Sequence, residues 1–259
     1  LYICQYYQGQ LYYFQLLVIL AYNLIMKSSI QNKSKLVNSV FSRVYKKYDL
    51  MNDVMSLGIH RIWKNKLIDW MNPQLEESLI DVASGSGDVA KLFSKKNNNS
   101  AKISCVEPND EMFRIGKYNL EKFKNIKWHK ASAEKLPFKN DTYNFYSISY
   151  GLRNVSDINM SLKEAFRVLK PGGRFMCLEF SKVDNEIINL FYQQYSKIIP
   201  FIGKYIIGSS KPYDYLIKSI NEFYKQNELV DLMKKNGFSK IEYRNLSNGI
   251  SAIHSGWKI

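Results

Sequence analysis

Acidic side chains flank a glycine-rich stretch at residues 79–90, LIDVASGSGDVA. Glycines in a loop between a strand and a helix let the backbone turn tightly and approach a ligand closely. The spelling from Gly85 to Ala90, GxGxxA, is also that of a dinucleotide-binding loop, so a nicotinamide oxidoreductase is one interpretation. The carboxylates of Asp81 and Asp88, however, would repel a pyrophosphate by about 1 kcal/mol or more. A ligand with an ammonium and a sulfonium group and no phosphate, such as S-adenosylmethionine, suits this loop better.

Two further polar groups follow the next two predicted strands. Glu107, with Pro108 after it, lies about 20 residues beyond the loop, where an acid binds the two ribose hydroxyls of a nucleotide. Ser132 and Ala133 follow the third strand, at a position suited to recognition of an adenine amine. Ligands of open parallel sheets bind beyond the carboxyl ends of the strands, so these residues predict one cofactor site. The plainer interpretation is a loop that only turns, with Ser86 as a helix cap.

These residues are positioned by alternating apolar strands and amphipathic helices. Five such alternations predict an α/β fold with a parallel sheet that is covered on both faces. The predicted strands are 78–84, 101–108, 125–132, 142–151 and 174–181, and the predicted helices between them are 86–96, 109–122 and 157–169.

Helical patterns also precede and follow this alternating region. Helical periodicity predicts two helices upstream, at about 35–48 and 59–71. Pro171-Gly172-Gly173 predicts a turn that ends before the fifth strand begins. The aromatic-rich residues 184–224 predict a helical insertion, which either encloses a greasy substrate or packs in the core. A helix at 226–236, with Gly237 after it, and two strands that form an antiparallel pair complete the chain.

Composition excludes several classes of protein. The 259 residues carry a formal net charge of +14, but the lysines are scattered without a long basic run, so no nucleic-acid partner is expected. The three cysteines have no CxxC spacing and the three histidines lie far apart, so no metal site is predicted. Cys105 and Cys177 lie in apolar runs and are expected to be buried thiols.

Residues 1–34 differ in kind from the rest and are predicted to be a targeting or disordered extension. Their apolar stretch at 11–26 is shorter than the ~20 residues that a spanning helix needs. No acidic residue precedes Asp49, which is typical of an organelle transit peptide, although a single membrane anchor is a competing interpretation. Residues 35–259 are predicted to form one domain.

Four blocks of the chain resemble one known family, the UbiE/Coq5 quinone-biosynthesis C-methyltransferases, and most of all its mitochondrial members. The resemblance covers about residues 37–259. The blocks are YDLMNDVMSLGIHRIW (48–63), ISYGLRNVSD (148–157), RVLKPGGRFMCLEFS (167–181) and NGISAIHSGWK (248–258).

The resemblance implies a Rossmann-like, S-adenosylmethionine-dependent methyltransferase with a mostly parallel seven-stranded sheet and an antiparallel last strand. Its implied substrate is a polyprenyl methoxy-benzoquinol of ubiquinone biosynthesis. Two alternatives concern the substrate: the enzyme methylates demethylmenaquinone, or it methylates the quinols of both pathways. A third alternative is that the chain is a non-catalytic, cofactor-binding subunit of a biosynthetic complex. The implied location is the matrix side of the mitochondrial inner membrane, with peripheral membrane contact and other ubiquinone-biosynthesis proteins as partners; a homodimer is a further expectation.

Site residues follow from the matching blocks. The implied catalytic residues are Tyr150, Arg153 and Asn154. The expected cofactor-binding residues are Asp81, Gly85, Ser86, Gly87, Glu107, Pro108, Ser132, Ala133 and Ser149.

Some of these residues depart from the family pattern or allow a second role. Ser84 replaces a glycine that the family usually has, which is expected to reduce backbone freedom, and Glu107 is one methylene longer than the usual aspartate. Arginine is a poor base, because its pKa exceeds ~12. Arg153 is therefore expected to stabilise the quinolate or activate a water; a salt bridge to Asp157 or Glu179 is the structural alternative.

Overall fold

The computed structural model describes residues 58–183 and 211–259, together with eight residues upstream. Those eight are Lys33, Lys35, Leu36, Val37, Ser39, Ser42, Asp53 and Ser56. Most of the predicted N-terminal extension, parts of the helix at 35–48 and residues 184–210 of the insertion lie outside the described residues.

Seven strands form one sheet in the order β3-β2-β1-β4-β5-β7-β6. Neighbours from β3 to β5 are parallel, and β7 is antiparallel to both β5 and β6, as predicted. The strands are β1 (Leu79–Val82), β2 (Ile103–Val106), β3 (Ile126–His129), β4 (Tyr143–Ser149), β5 (Leu169–Phe180), β6 (Ser239–Leu246) and β7 (Ser251–Trp257).

Helices cover both faces of this sheet. The described helices are α1 (His60–Met71), α2 (Asp88–Lys96), α3 (Asp110–Asn119), α4 (Ile158–Val168), α5 (Lys211–Glu222) and α6 (Gln226–Lys235). Successive strand residues point to opposite faces, so Leu79 and Phe145 join one buried cluster, and Ile80 and Tyr146 join the other. The first cluster includes apolar residues of α1, α2 and α5, and the second includes those of α4 and α6.

The fifth strand begins earlier than the sequence indicates. The Pro171-Gly172-Gly173 segment lies within β5 as a bulge, because β4 residues Tyr143 and Phe145 pair with Leu169 and Arg174. The bulge is held by the end of the chain: Gly172 N–H donates to the Lys258 carbonyl (2.7 Å), and Lys258 N–H donates to the Gly173 carbonyl (3.0 Å). The prediction that these three residues end before the strand starts was therefore wrong.

The described end of the predicted insertion is helix α5. Its Tyr213, Leu216 and Ile220 are buried in the first cluster, which favours core packing over a substrate surface for these three side chains. No helix among the described residues is both long enough and apolar enough to cross a membrane.

Candidate active site

The glycine loop turns at three positions with positive φ. These are Ala83 (53°), Gly85 (56°) and Gly87 (87°), whereas Ser84 is not among them. The serine in place of the family's usual glycine is therefore not strained. Its hydroxyl donates to the Asp81 carbonyl (2.6 Å) and accepts from the Val106 N–H (3.1 Å), which fixes the end of β1 against β2.

Helix α2 begins directly behind this loop. Its N-cap residue is Gly87 and not Ser86, so the interpretation of Ser86 as the helix cap is wrong. Helix α3 passes close to the loop because Gly116 has no side chain: a Cβ there would lie 2.6 Å from the Gly85 carbonyl oxygen. The two helices therefore hold the loop from both sides.

Asp81 projects from the third position of β1 and is fully buried. Ser147, its register partner on β4, donates a hydrogen bond from its hydroxyl to Asp81 Oδ1 (2.6 Å). Asp81 Oδ2 has no hydrogen-bond partner among the described residues. Burial raises the pKa of Asp81 to about 7, although the Ser147 hydroxyl and the Lys64 ammonium oppose that rise. An unpaired buried carboxylate oxygen can pair with a cation or accept a hydrogen bond from a hydroxyl group.

Glu107 follows β2 and is also buried. Its Oε2 accepts from the Gly85 N–H (3.0 Å), and its Oε1 accepts from the Asn109 N–H (2.9 Å). The extra methylene relative to aspartate thus still lets the carboxylate reach the glycine loop. Burial raises the pKa of Glu107 to about 7, and the two backbone donors oppose that rise.

Two neighbouring cavities lie at this edge of the sheet. The cavity lined by Glu107, Pro108, Ser132 and Ala133 is named the adenosine-side cavity after the predicted ribose and adenine contacts, and its empty space of about 790 Å³ includes open solvent. The loop-side cavity lies between the glycine loop and α1, and its empty space of about 330 Å³ also includes open solvent. The walls that both cavities share are formed by Ala83, Gly85, Ser149 and Tyr150.

The predicted cofactor residues divide between these two cavities. Glu107, Pro108, Ser132 and Ala133 line the adenosine-side cavity, and Asp81 and Ser86 line the loop-side cavity. Gly87 lies behind the loop as the cap of α2 and lines neither.

The residues present fit S-adenosylmethionine. The Ser149 hydroxyl and Asp81 Oδ2 are buried at the shared wall and the loop-side wall without a hydrogen-bond partner among the described residues. Glu107 presents a carboxylate suited to a pair of ribose hydroxyls, and Asp81 presents one suited to a cation. The two buried carboxylates at the ends of β1 and β2 disfavour a pyrophosphate, because they would repel its negative charge.

The turn after β4 carries the predicted catalytic residues. Tyr150 and Asn154 line the adenosine-side cavity, whereas Arg153 is not among its lining residues. Asn154 Nδ2 donates to the Tyr150 carbonyl (3.3 Å), and the Tyr215 hydroxyl of α5 donates to Asn154 Oδ1 (3.0 Å). The amide of Asn154 is therefore fixed in orientation at the cavity wall.

Arg153 is buried in an ion pair. Its Nη1 donates to Glu179 Oε1 and to the Tyr150 carbonyl, both at 2.6 Å. Of the two partners expected for a salt bridge, Glu179 is the one observed; Asp157 instead accepts from the Met160 N–H and caps α4. Burial raises the pKa of Glu179, and the Arg153 guanidinium opposes that rise.

Sequence reasoning missed Ser147 and Lys64. Ser147 lies beside Asp81 because of the β1–β4 register, and alternation of serines along β4 was its one signal. Lys64 is a buried lysine within the apolar face of α1, next to Trp63 and near Leu67, which a helical projection would have shown. Its Nζ donates to Asp88 Oδ2 (2.7 Å).

Comparison with known proteins agrees with this geometry. Residues 28–258 match the ubiE/COQ5 methyltransferase family. A ubiquinone/menaquinone biosynthesis C-methyltransferase UbiE from Rickettsia bellii is 50% identical over 240 residues, which cover 90% of this chain and 96% of the relative. The enzyme of the same name from Rickettsia prowazekii is 48% identical over 234 residues, 88% of this chain and 94% of that one.

Solved structures show the same fold at low sequence identity. An S-adenosylmethionine-dependent methyltransferase from Thermotoga maritima superposes with a TM-score of 0.61 at 22% identity, over 86% of this chain and all of that chain. One from Aquifex aeolicus gives a TM-score of 0.57 at 16% identity, over 76% of this chain and 89% of that chain.

The predicted mitochondrial location is wrong. The relatives described above are enzymes of Rickettsia species, which are bacteria, so they indicate a bacterial and not a mitochondrial protein. The nicotinamide interpretation of the loop is likewise not supported. The chain belongs to the ubiE/COQ5 methyltransferase family and is an S-adenosylmethionine-dependent methyltransferase.

Proposed function

We propose that this methyltransferase of quinone biosynthesis methylates a ring carbon of a polyprenyl methoxy-benzoquinol, a step of ubiquinone biosynthesis. The observation that carries the proposal is the identity of 48–50%, over most of both chains, to enzymes named ubiquinone/menaquinone biosynthesis C-methyltransferase. Because that name covers two quinones, demethylmenaquinol is the second candidate substrate.

The cavity suits a reaction in which charge disappears. Bound S-adenosylmethionine supplies a methyl group on a positively charged sulfur, and a ring carbon becomes nucleophilic when its phenol loses a proton. The phenolate and the sulfonium both become neutral, so water would favour the separated ions and slow the step. Apolar residues supply much of the adenosine-side wall, which favours the neutral products: Val82, Ala83, Pro108, Met112, Ala133 and Val155.

Residues of the turn after β4 would hold the quinol ring. The Asn154 amide is fixed by Tyr150 and Tyr215, and it has one N–H left to donate to a ring oxygen. Tyr150 lies on the wall that both cavities share, next to Ser149. Fixed donors on a rigid wall can hold the ring in line with the methyl group, and such alignment can supply ~7–11 kcal/mol.

Arg153 acts through this turn and not as a base. Its guanidinium is committed to Glu179 and to the Tyr150 carbonyl, so it holds the backbone that places Tyr150 and Asn154. In this proposal the phenolic proton leaves through water, with Asn154 holding the ring oxygen. After the methyl group has bonded to the ring carbon, that carbon loses its hydrogen as a proton to water and the ring oxygen is protonated again, which restores the aromatic quinol.

A direct assay distinguishes the two substrates. Purified protein is mixed with S-adenosylmethionine and either a short-chain methoxy-benzoquinol or a demethylmenaquinol, each kept reduced, and the methylated product is detected by mass spectrometry. Methylation of the benzoquinol supports the proposal. Methylation of the naphthoquinol alone moves the assignment to menaquinone, and methylation of neither contradicts the proposal.

A matched pair of variants tests the role of the turn. Asn154→Ala is expected to lower kcat by about 10²-fold while S-adenosylhomocysteine binding is kept, because it removes a donor to the reacting ring. Asn227→Ala, on the exposed face of α6, is the control and should change neither. Unchanged turnover of Asn154→Ala would remove that residue from the mechanism.

The expected partners stay predictions. These are other ubiquinone-biosynthesis proteins, contact with a membrane surface, and a second copy of the chain.

A further inference from the structure

Lys64 is a cation in an acidic site. It projects from α1, its side chain is 9% exposed, and its Nζ lies 2.7 Å from Asp88 Oδ2. Among the described residues that line the two cavities, it is the one cation. Burying a lysine is unfavourable unless a partner or a ligand compensates for the lost hydration, and the partly exposed Asp88 is the partner of Lys64 in the free protein.

The two cavities assign the two ends of the cofactor. Glu107 lies in the adenosine-side cavity and suits the ribose, so the amino-acid end would lie toward the neighbouring loop-side cavity, which shares four lining residues with it. The amino-acid end has an ammonium and a carboxylate on the same carbon atom. A site that binds both needs an acid and a cation on its walls, and the loop-side cavity has Asp81 and Lys64.

We propose that Lys64 is a cofactor-binding residue that holds the carboxylate of the methionine end, while Asp81 receives its ammonium. Charge-assisted hydrogen bonds of this kind are roughly twice as strong as neutral ones. This inference rests on the cofactor and not on which quinol is methylated.

Asp88 has a separate part in this arrangement. It is the first residue of α2 and is half-exposed, so it keeps Lys64 paired and is itself easily hydrated when the ligand carboxylate takes its place. The ion pair also joins α1 to α2, so the contact between these helices would change when a ligand occupies the site and binds Lys64. Neutralising Asp88 should therefore leave Lys64 available to the ligand.

Two ligands test the proposal by calorimetry on the full chain. S-adenosylhomocysteine has the carboxylate, and its decarboxylated analogue keeps the adenosine, the sulfur and the amine. Lys64→Met is expected to weaken the first by about 10–100-fold, as for loss of a buried charged hydrogen bond, and the second by less than about twofold. Lys64→Arg should restore most of the loss.

Controls separate binding from structure. Lys91→Met, at an exposed position of α2, should change neither affinity. Asp88→Asn should bind S-adenosylhomocysteine at least as tightly as the unaltered protein. The ratio of the two affinities is measured on the same sample, so a partly unfolded variant still gives a result.

Either of two results would overturn the proposal. One is equal weakening of both ligands, or of neither, by Lys64→Met. The other is a loss of S-adenosylhomocysteine affinity in Asp88→Asn that matches the loss in Lys64→Met, which would mean that the pair only holds the two helices together.

Discussion

The molecule has two groups of buried charged residues, and they differ in whether a carboxylate oxygen is left without a hydrogen-bond partner. Asp81 and Glu107 end neighbouring parallel strands as acids, and burial raises the pKa of each to about 7. Arg153 and Glu179, behind the turn after β4, form an ion pair at 2.6 Å whose carboxylate also accepts backbone N–H groups. The first group keeps an unpaired oxygen, Asp81 Oδ2, whereas the Glu179 carboxylate is already paired and hydrogen-bonded.

This difference is the one expected between a binding site and a structural support. Buried acids whose ionised form is unfavourable in the free protein gain a partner when a cation or a hydroxyl group binds. The bound ligand therefore stabilises the ionised carboxylate. A pair whose carboxylate already accepts hydrogen bonds from the guanidinium and from backbone N–H groups has little to gain from a ligand at that carboxylate. It stabilises the turn that it supports, and removal of one member is costly.

The largest expected effect is from breaking the ion pair. Arg153→Met leaves the Glu179 carboxylate buried without its cation and is expected to lower the free energy of unfolding by about 3–5 kcal/mol. Urea unfolding followed by circular dichroism measures this loss.

The double variant is its control. Arg153→Met with Glu179→Gln removes both charges and keeps an acceptor for the Phe180 N–H, so most of the lost stability should return. A double variant as unstable as the single one would show that the pair is not the source of the effect.

The next largest effect is from Asp81→Asn. The native pKa of about 7 lies above the ordinary value of ~3.9, so the stability that Asp81 contributes is present below ~pH 4 and is lost as pH rises through about 7. Asparagine cannot ionise. The free energy of unfolding of the variant, measured relative to that of the unaltered protein, should therefore be higher at pH 8 than at pH 4 by on the order of 2–4 kcal/mol. Thermal unfolding at the two pH values measures this.

The same variant should lose affinity for S-adenosylhomocysteine, because the neutral amide cannot pair with the ammonium. Asp231→Asn, on the exposed face of α6, should show neither effect. A stability difference that stays constant between pH 4 and pH 8 would be evidence against the unfavourable buried carboxylate.

The smallest effect is expected from Ser149→Ala. The Ser149 hydroxyl is buried without a partner among the described residues, so its removal should change stability by less than about 1 kcal/mol or raise it slightly. Affinity for S-adenosylhomocysteine should fall severalfold, as measured by calorimetry, with Ser239→Ala at the exposed start of β6 as the control. A large loss of stability would assign Ser149 to the support and not to the binding site.

The sequence predicts the position of the two buried acids, Asp81 and Glu107, for a physical reason; their role in binding the cofactor stays a prediction. Asp81 and Glu107 lie at the ends of apolar runs, and the carboxyl ends of parallel strands meet at one edge of the sheet. Their position therefore follows from local pattern and general topology, without knowledge of any individual contact.

Other features depend on contacts that only the folded chain fixes. Arg153 meets Glu179, 26 residues later, because β4 pairs with β5, and the sequence alone offered Asp157 equally. Pro171-Gly172-Gly173 is a turn signal by composition, but hydrogen bonds to Lys258 at the far end of the chain make it a bulge inside β5. Lys64 was missed because the sequence does not show which loop faces α1, so it gives no partner for a lysine in an apolar helix face.

The most direct test of whether Asp81 and Glu107 receive the cofactor as carboxylates is the release of protons on cofactor binding. S-adenosylhomocysteine is titrated into the protein at about pH 6.5 in buffers of different ionisation enthalpy, and the titration is repeated between pH 5.5 and 8.5. If Asp81 and Glu107 must ionise to receive the ligand, binding releases protons, and affinity falls by up to about tenfold for each pH unit below about 7 for each linked acid. Binding without proton release, at an affinity that stays constant over this range, would contradict the account.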